Sequence, residues 1–274
     1  MADTSAMENV PLRTAAGLIA LAALVGAAPA NRLSGEDKAR VEAALARGEL
    51  LYELDRAAWV TTDDMMERLG RKDAPIKGWV VERAASGGGY AVTYFGDGPA
   101  GPVAWYAGAV RDGKVAASEV FAEGRRPPLS PAQLRLKAAA DTARAFTGYR
   151  PCTESRFNVA VVPPPGAAGP IEVYLLSAQT ESGVYPIGGH YLLRVDGGKV
   201  VSHRRFMHSC MNLDVGAVAK QGEPQALALT HLLDPVPTEI HVFVSISMKK
   251  PIYVMMKKRA WAVEGQRVRL LAEK

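Results

Sequence analysis

Residues 171–214 read IEVYLLSAQTESGVYPIGGHYLLRVDGGKVVSHRRFMHSCMNLD, and the reading of this stretch decides the fold class. Two strand-like runs, 191–195 and 199–206, flank Asp196-Gly197-Gly198, which supplies the residue types a tight hairpin needs at positive φ. A two-residue turn at Gly197-Gly198 pairs Asp196 with Lys199, sets His203 opposite Leu192 and sets His190 opposite Arg205. Side chains alternate between the faces of a strand. One face then carries Tyr191, Leu193, Val195, Val200 and Phe206 as core, and the other carries His190, Arg194, Asp196, Lys199, His203 and Arg205 toward water.

Upstream, the period of two recurs. Residues 79–83, 90–95, 103–110 and 115–121 read as four strands of an antiparallel meander, separated by glycine-rich turns at 86–89, 96–102 and 111–114. Helices precede each set of strands. Ser34-Gly-Glu-Asp37 is a capping box that opens a helix running to Arg47, with Gly48 as its stop. A second short helix is capped by Thr61, uses Asp63 and Asp64 in its first turn and ends at Gly70. The longest helix starts at Ser130 with Pro131 and Gln133, presents Leu134, Ala138 and Phe146 on one face, and closes at Gly148.

Downstream of Asp214, residues 225–233 read as helical or irregular, and the tail returns to strands at 240–246, 252–256, 259–263 and 267–271. The class is α+β, mostly antiparallel β-sheet meanders with a few packed helices. Both halves run helix, strands, D-G turn, strand, which suggests a duplicated helix-plus-sheet unit over 31–128 and 129–274, as two domains or as one continuous domain.

The first 30 residues have the order of a signal peptide: Arg13, the apolar run 15–25, then Ala28-Pro29-Ala30 as a cleavage site. That order directs the chain to a periplasmic or secreted location, where Cys152 and Cys210 are expected to join as a disulfide. The net charge of +5 is a mild bias compatible with an anionic ligand or an acidic protein surface, and the basic residues Lys249, Lys250, Lys257, Lys258 and Arg259 add to it. Nucleic acid is not expected as a partner of an exported chain, and no transmembrane segment is expected in the mature chain.

Catalytic motifs are missing. The sequence holds no G-x-S-x-G, G-x-x-x-x-G-K-[ST], H-E-x-x-H or C-x-x-C, so neither a cofactor nor an enzymatic role is indicated. All five histidines, His190, His203, His208, His231 and His241, fall between positions 190 and 241. Two functions follow from this region. The first is a non-enzymatic binding or interaction protein that presents His190, Arg194, His203 and Arg205 on one polar sheet face. The second is a metal-binding protein or metal-dependent hydrolase that uses His190, His203 and His208, since a metal site needs three or more converging donors. Met207, His208, Cys210 and Met211, with Met255 and Met256, form a softer donor set of the kind that suits copper(I).

Overall fold

The computed structural model describes residues 33–70, 75–85, 87–166, 168–216 and 227–273. The expected leader, residues 1–30, lies outside the described residues. Those residues form an α+β structure in which the order helix, then antiparallel strands, recurs three times. Helix α1 (Gly35–Leu69) precedes a sheet of β1 (Gly78–Arg83), β2 (Tyr90–Gly98), β3 (Gly101–Arg111) and β4 (Lys114–Val120) in that order. Helix α2 (Pro131–Ala145) precedes a second sheet of β5 (Asn158–Val161), β6 (Ile171–Leu176), β8 (Tyr191–Asp196) and β9 (Lys199–Arg205). A small pair, β7 (Val184–Pro186) with β10 (Asn212–Asp214), sits beside it. The third sheet joins β11 (Leu227–Thr230), β12 (Ile252–Met256), β13 (Arg259–Val263) and β14 (Val268–Glu273), and helix α3 (Glu239–Met248) enters between β11 and β12.

Helix α1 starts at the expected cap, with the Ser34 hydroxyl accepting from the Asp37 amide at 3.0 Å, but the Asp37 carboxylate turns to Arg259 instead of closing the box, and the helix runs through Gly48 for 35 residues. Gly48 is a contact, not a stop. A Cβ built there would lie 2.5 Å from Val242 Cβ and 2.7 Å from the Glu239 carbonyl oxygen, so the absent side chain is what lets α3 approach. Thr61 is likewise no cap. It is buried inside α1, where its hydroxyl donates to the Ala57 carbonyl at 2.7 Å. Asp64 faces the first sheet and accepts the Tyr106 hydroxyl at 2.7 Å. Gly70 does end the helix, at φ 77°.

Three tyrosines pin the second half of α1 to the first sheet. Tyr90 donates to Glu53 at 2.5 Å, Tyr94 to the Ala58 carbonyl at 2.6 Å and Tyr106 to Asp64. The opposite face of that sheet, with Val80, Phe95 and Ala104, packs on α2. Helix α2 has the expected reciprocal cap between Ser130 and Gln133. Its buried face, however, is Leu136, Ala139, Ala140 and Ala143, while Leu134 and Ala138 are exposed, and the helix ends at Phe146 before Gly148. The alanines allow a sheet to approach on each side, which a leucine-rich face would prevent.

The central hairpin forms with its turn at Gly197-Gly198, both at positive φ. A bulge between Val195 and Arg194 then shifts the register by one, so His203 pairs with Leu193 and Arg205 with Tyr191. Phe206 is buried as expected, but it stacks on Tyr174 on the face opposite Tyr191 and Leu193. Strands β6 and β8 are therefore covered on both faces, by α2 on one and by the core around α1 and α3 on the other, while β9 stays largely exposed.

The tail differs most. Residues 239–248 are helical, not a strand, although EIHVFVSISM is rich in β-branched residues. Burial on nearly every side, with Ile240, Val242, Val244 and Met248 in the core, outweighs a propensity difference of a few tenths of a kcal/mol per residue. Residues 227–230, read as helical or irregular, instead form β11, parallel to β12. Cys152 and Cys210 are joined, with Cα atoms 5.3 Å apart across 58 positions. Gly189 makes room for the bridge: a Cβ there would lie 2.5 Å from Cys152 Sγ.

Replacing Gly48 by Ala should lower stability by about 1–3 kcal/mol through overpacking, although alanine gains about 1 kcal/mol in helix propensity. In a denaturation cycle, G48A with V242A should lose less than the sum of the single variants, and a stabilising G48A would show that the helices do not touch there. The variant with Ser at both Cys152 and Cys210 should lose up to about 4 kcal/mol, the chain-entropy value for a loop of about 60 residues, read from its urea midpoint.

Candidate functional site

The expected polar sheet face is not assembled. His190 is 1% exposed and cannot meet a partner. Its Nδ1 accepts from the Ser177 amide at 3.2 Å and its Nε2 donates to the Pro186 carbonyl at 3.0 Å, which fixes a neutral ring whose pKa burial pushes down to about 4. The bulge puts His203 and Arg205 on the face of Tyr191 and Leu193, and the His203 ring lies 4.8 Å from that of Phe146. Arg194 pairs with Ser202, one position out of step, and stands 3.9 Å from Glu172. His208 is exposed in the loop after β9, where Arg205 donates to its Nδ1.

His190, His203 and His208 thus do not converge, and among the described residues no group of three or more His, Cys, Asp or Glu is placed to hold a metal. Cys210 is consumed by the disulfide, which removes the thiolate from the softer donor set. Of the basic tail residues, Arg259 is held by Asp37 at 2.6 Å and Glu273 at 2.8 Å.

His231 and His241 are buried beside each other, with ring centres 4.8 Å apart. The third residue of α3, His241, reaches back so that its Nδ1 accepts from the amide of Thr238 at 3.0 Å. His231 Nε2 donates to Asp234 at 2.9 Å, and Asp234 also accepts from Arg204 at 3.2 Å. Burial, with the neighbouring His231, lowers the pKa of His241 to about 3. These contacts close the start of α3, while the His241 Nε2 is buried without a hydrogen-bond partner among the described residues.

The open space lies elsewhere. A cleft of about 1310 Å³ is bounded by α1, the strands β1 and β5, and the end of α3. Its floor follows from the heptad stripe Val41, Ala44, Gly48, Leu51, Asp55, Ala58, Thr62 and Met65 along α1. The first four are buried, and α3 covers the stripe at Gly48. Beyond Leu51 the buried positions move round to Leu54, Ala57 and Thr61, which face the first sheet, so Asp55, Ala58 and Thr62 are left lining the cleft. Trp79, Val81 and Tyr90 form the wall from the first sheet, Val159 and Leu176 that from the second, and Met248 closes one end. Tyr52, Trp59 and Tyr185 stand at its margins.

Asp55 is the one feature of this cleft that folding does not explain. Among the described residues it makes no hydrogen bond or ion pair, and desolvation raises its pKa from the ordinary 3.8 to about 6. The sequence carried a signal for it, an acid at a core position of the stripe, which is hidden once the helix is divided at Gly48.

Asp55 and the buried histidines act on stability with opposite signs. The native carboxyl binds its proton more tightly than the unfolded one, so the cost of its charge is full above pH 6 and disappears as the pH falls below about 4. Asp55→Asn should therefore stabilise at pH 8 by up to about 3 kcal/mol, from about 2 pKa units at 1.4 kcal/mol each, and have no effect near pH 4. His190 and His241 are neutral when folded and charge more readily when unfolded, so stability should fall as the pH drops from 6.5 toward 4. Thermal melts at pH 8, 6 and 4 should show a steeper acid loss in D55N than in the native protein, and parallel curves would refute the assignment.

Comparison with protein-family models, with curated proteins and with solved structures finds no match to this chain.

Proposed function

We propose that this chain is an exported, non-enzymatic binding protein whose ligand occupies the cleft beside Asp55. The observation that carries the reading is the cleft itself: about 1310 Å³ of space whose lining mixes aromatic and aliphatic side chains with charged ones, among them the desolvated Asp55 carboxyl, which has no partner among the described residues. Ligand sites are concave and largely apolar, with few convergent polar groups, and a perturbed carboxyl marks such places. The cleft is also bordered by β1 and β5, the edge strands of their sheets, whose outer backbone groups offer further hydrogen bonds to a ligand.

Export is supported by the order of residues 13–30 and by the Cys152–Cys210 bridge, which persists in an oxidising compartment. No helix among the described residues is long and apolar enough to cross a membrane. The polar face of His190, Arg194, His203 and Arg205 gives way to the cleft because these four residues do not stand together. The polar residues required of a partner site are instead those of α1 and the facing sheet edges.

A thermal-shift screen of amino acids, short peptides, amines, carboxylic acids and sugars should contain at least one compound that raises the midpoint in proportion to ln(1 + [L]/Kd). Ala178→Trp, which fills the cleft from its margin, should abolish that shift without lowering the unliganded midpoint. If no compound of any charge shifts the native protein, the binding role fails. Mass spectrometry of the mature protein from its native host should give a chain starting near residue 31; an uncleaved leader removes the export step alone.

A further inference from the structure

Of the charged side chains that line the cleft, three on α1 are engaged already. Glu53 accepts the Tyr90 hydroxyl at 2.5 Å, and Glu49 accepts from Gln266. The Arg56 guanidinium lies 4.8 Å from the centre of the Trp59 ring. Asp55 differs from all of these. It is recessed between core positions of α1, and no protein donor reaches it among the described residues.

We propose that the cleft binds a ligand carrying a protonated amine on an apolar or aromatic body, with the Asp55 carboxylate as the counter-ion of that amine. This rests on the cleft being the ligand site. An ionised carboxylate only accepts hydrogen bonds, so what it lacks here is a donor, and an ammonium brings three N–H groups with the compensating charge. A neutral hydroxyl would supply one hydrogen bond and leave the charge desolvated. An anionic ligand would add a second negative charge beside one that is already unpaired.

The walls select the rest of the molecule. The partly exposed rings of Trp79, Tyr52 and Tyr185 give apolar surface for a body attached to the amine, and the faces of aromatic rings attract a cation as well. The upward displacement of the Asp55 pKa arises from desolvation with no opposing cation, which is the state a cationic ligand would relieve. Lys114, Lys249 and Arg83 line the cleft but form no ion pair with Asp55. An amine on a small aryl-alkyl body and the amino terminus of a peptide share this chemistry.

Two probe pairs separate those sources: phenethylamine against phenethyl alcohol, and a phenylalanyl tripeptide with a free amino terminus against its N-acetyl form. Titration at pH 7 is followed by fluorescence of Trp59 and Trp79 and by calorimetry. At least one amine should bind at least tenfold more tightly than its neutral counterpart, and whichever pair shows it identifies the source. Asp55→Asn should cut amine affinity at least tenfold and erase the preference, whereas Asp196→Asn, on the distant hairpin turn, should leave it unchanged.

The native protein's amine-to-neutral ratio tests the idea without relying on a variant. Equal binding of amine and neutral probes, or a preference that survives D55N, overturns it. If neutral or anionic compounds bind and A178W blocks them while the amine preference is missing, the cleft stands as the site and only the amine assignment falls. If nothing binds, both fall.

Discussion

The structure depends on the contact between Gly48 of α1 and Val242 of α3. A glycine within a helix costs about 1 kcal/mol relative to alanine, because it gives up more backbone freedom on folding. Here the cost is offset by apolar burial. With no Cβ at position 48, α3 lies against α1, and Val242, Val244 and Ile240 are removed from water along with Leu51 and Val41. Burying each such side chain is worth about 1.5–3 kcal/mol, which exceeds the helix penalty. The same contact explains why a run of valines and isoleucines is helical. Strand pairing would bury two faces of that segment, whereas the site between α1 and the third sheet buries nearly all of it.

That contact also fixes where α1 becomes free. Helix α3 ends at Met248, and one turn further along α1 the stripe it covered carries Asp55. From there the tyrosines take over. Their hydroxyls donate to Glu53, to the Ala58 carbonyl and to Asp64, so the first sheet is tied to α1 by side-chain hydrogen bonds around a smaller apolar contact. Tyrosine suits the task because one end packs and the other donates. The result is a helix held on one flank and open on the next, and a cleft follows from the geometry of its two partners.

Local chemistry was legible in the sequence. The Gly197-Gly198 turn, the four-strand meander, the caps at Ser34 and Ser130 and the pairing of Cys152 with Cys210 all rest on neighbouring residues or on simple arithmetic. What depends on distant segments was not. Gly48 looks like a stop until Val242 is opposite it, the bulge at Arg194 has no marker in a run of alternating residues, and β11 acquires its identity only from β12. The histidines were conspicuous by number and unremarkable in place. His190, His231 and His241 each use a ring nitrogen to satisfy a local polar group and are buried neutral or beside Asp234, while His203 and His208 lie at the surface. Asp55 is inconspicuous in the sequence because an acid between helical positions has no marker of its own until the stripe on either side of it is core.

A leucine at position 55 would continue that stripe and leave no charge to desolvate. The desolvated carboxyl binds its proton more tightly in the folded chain, so its ionised form works against folding at neutral pH. Folding alone gives no return for it: Asp55 caps no helix, pairs with no cation and receives no hydrogen bond among the described residues. Destabilising polar groups of this sort are the common cost of a binding or reacting site, where complementarity to a ligand competes with complementarity to the fold. Under the proposed binding role the balance would reverse on occupancy. A cation seated in the cleft would turn the Asp55 carboxylate into half of an ion pair, and the free energy withheld from the empty protein would become the part of the affinity that discriminates by charge.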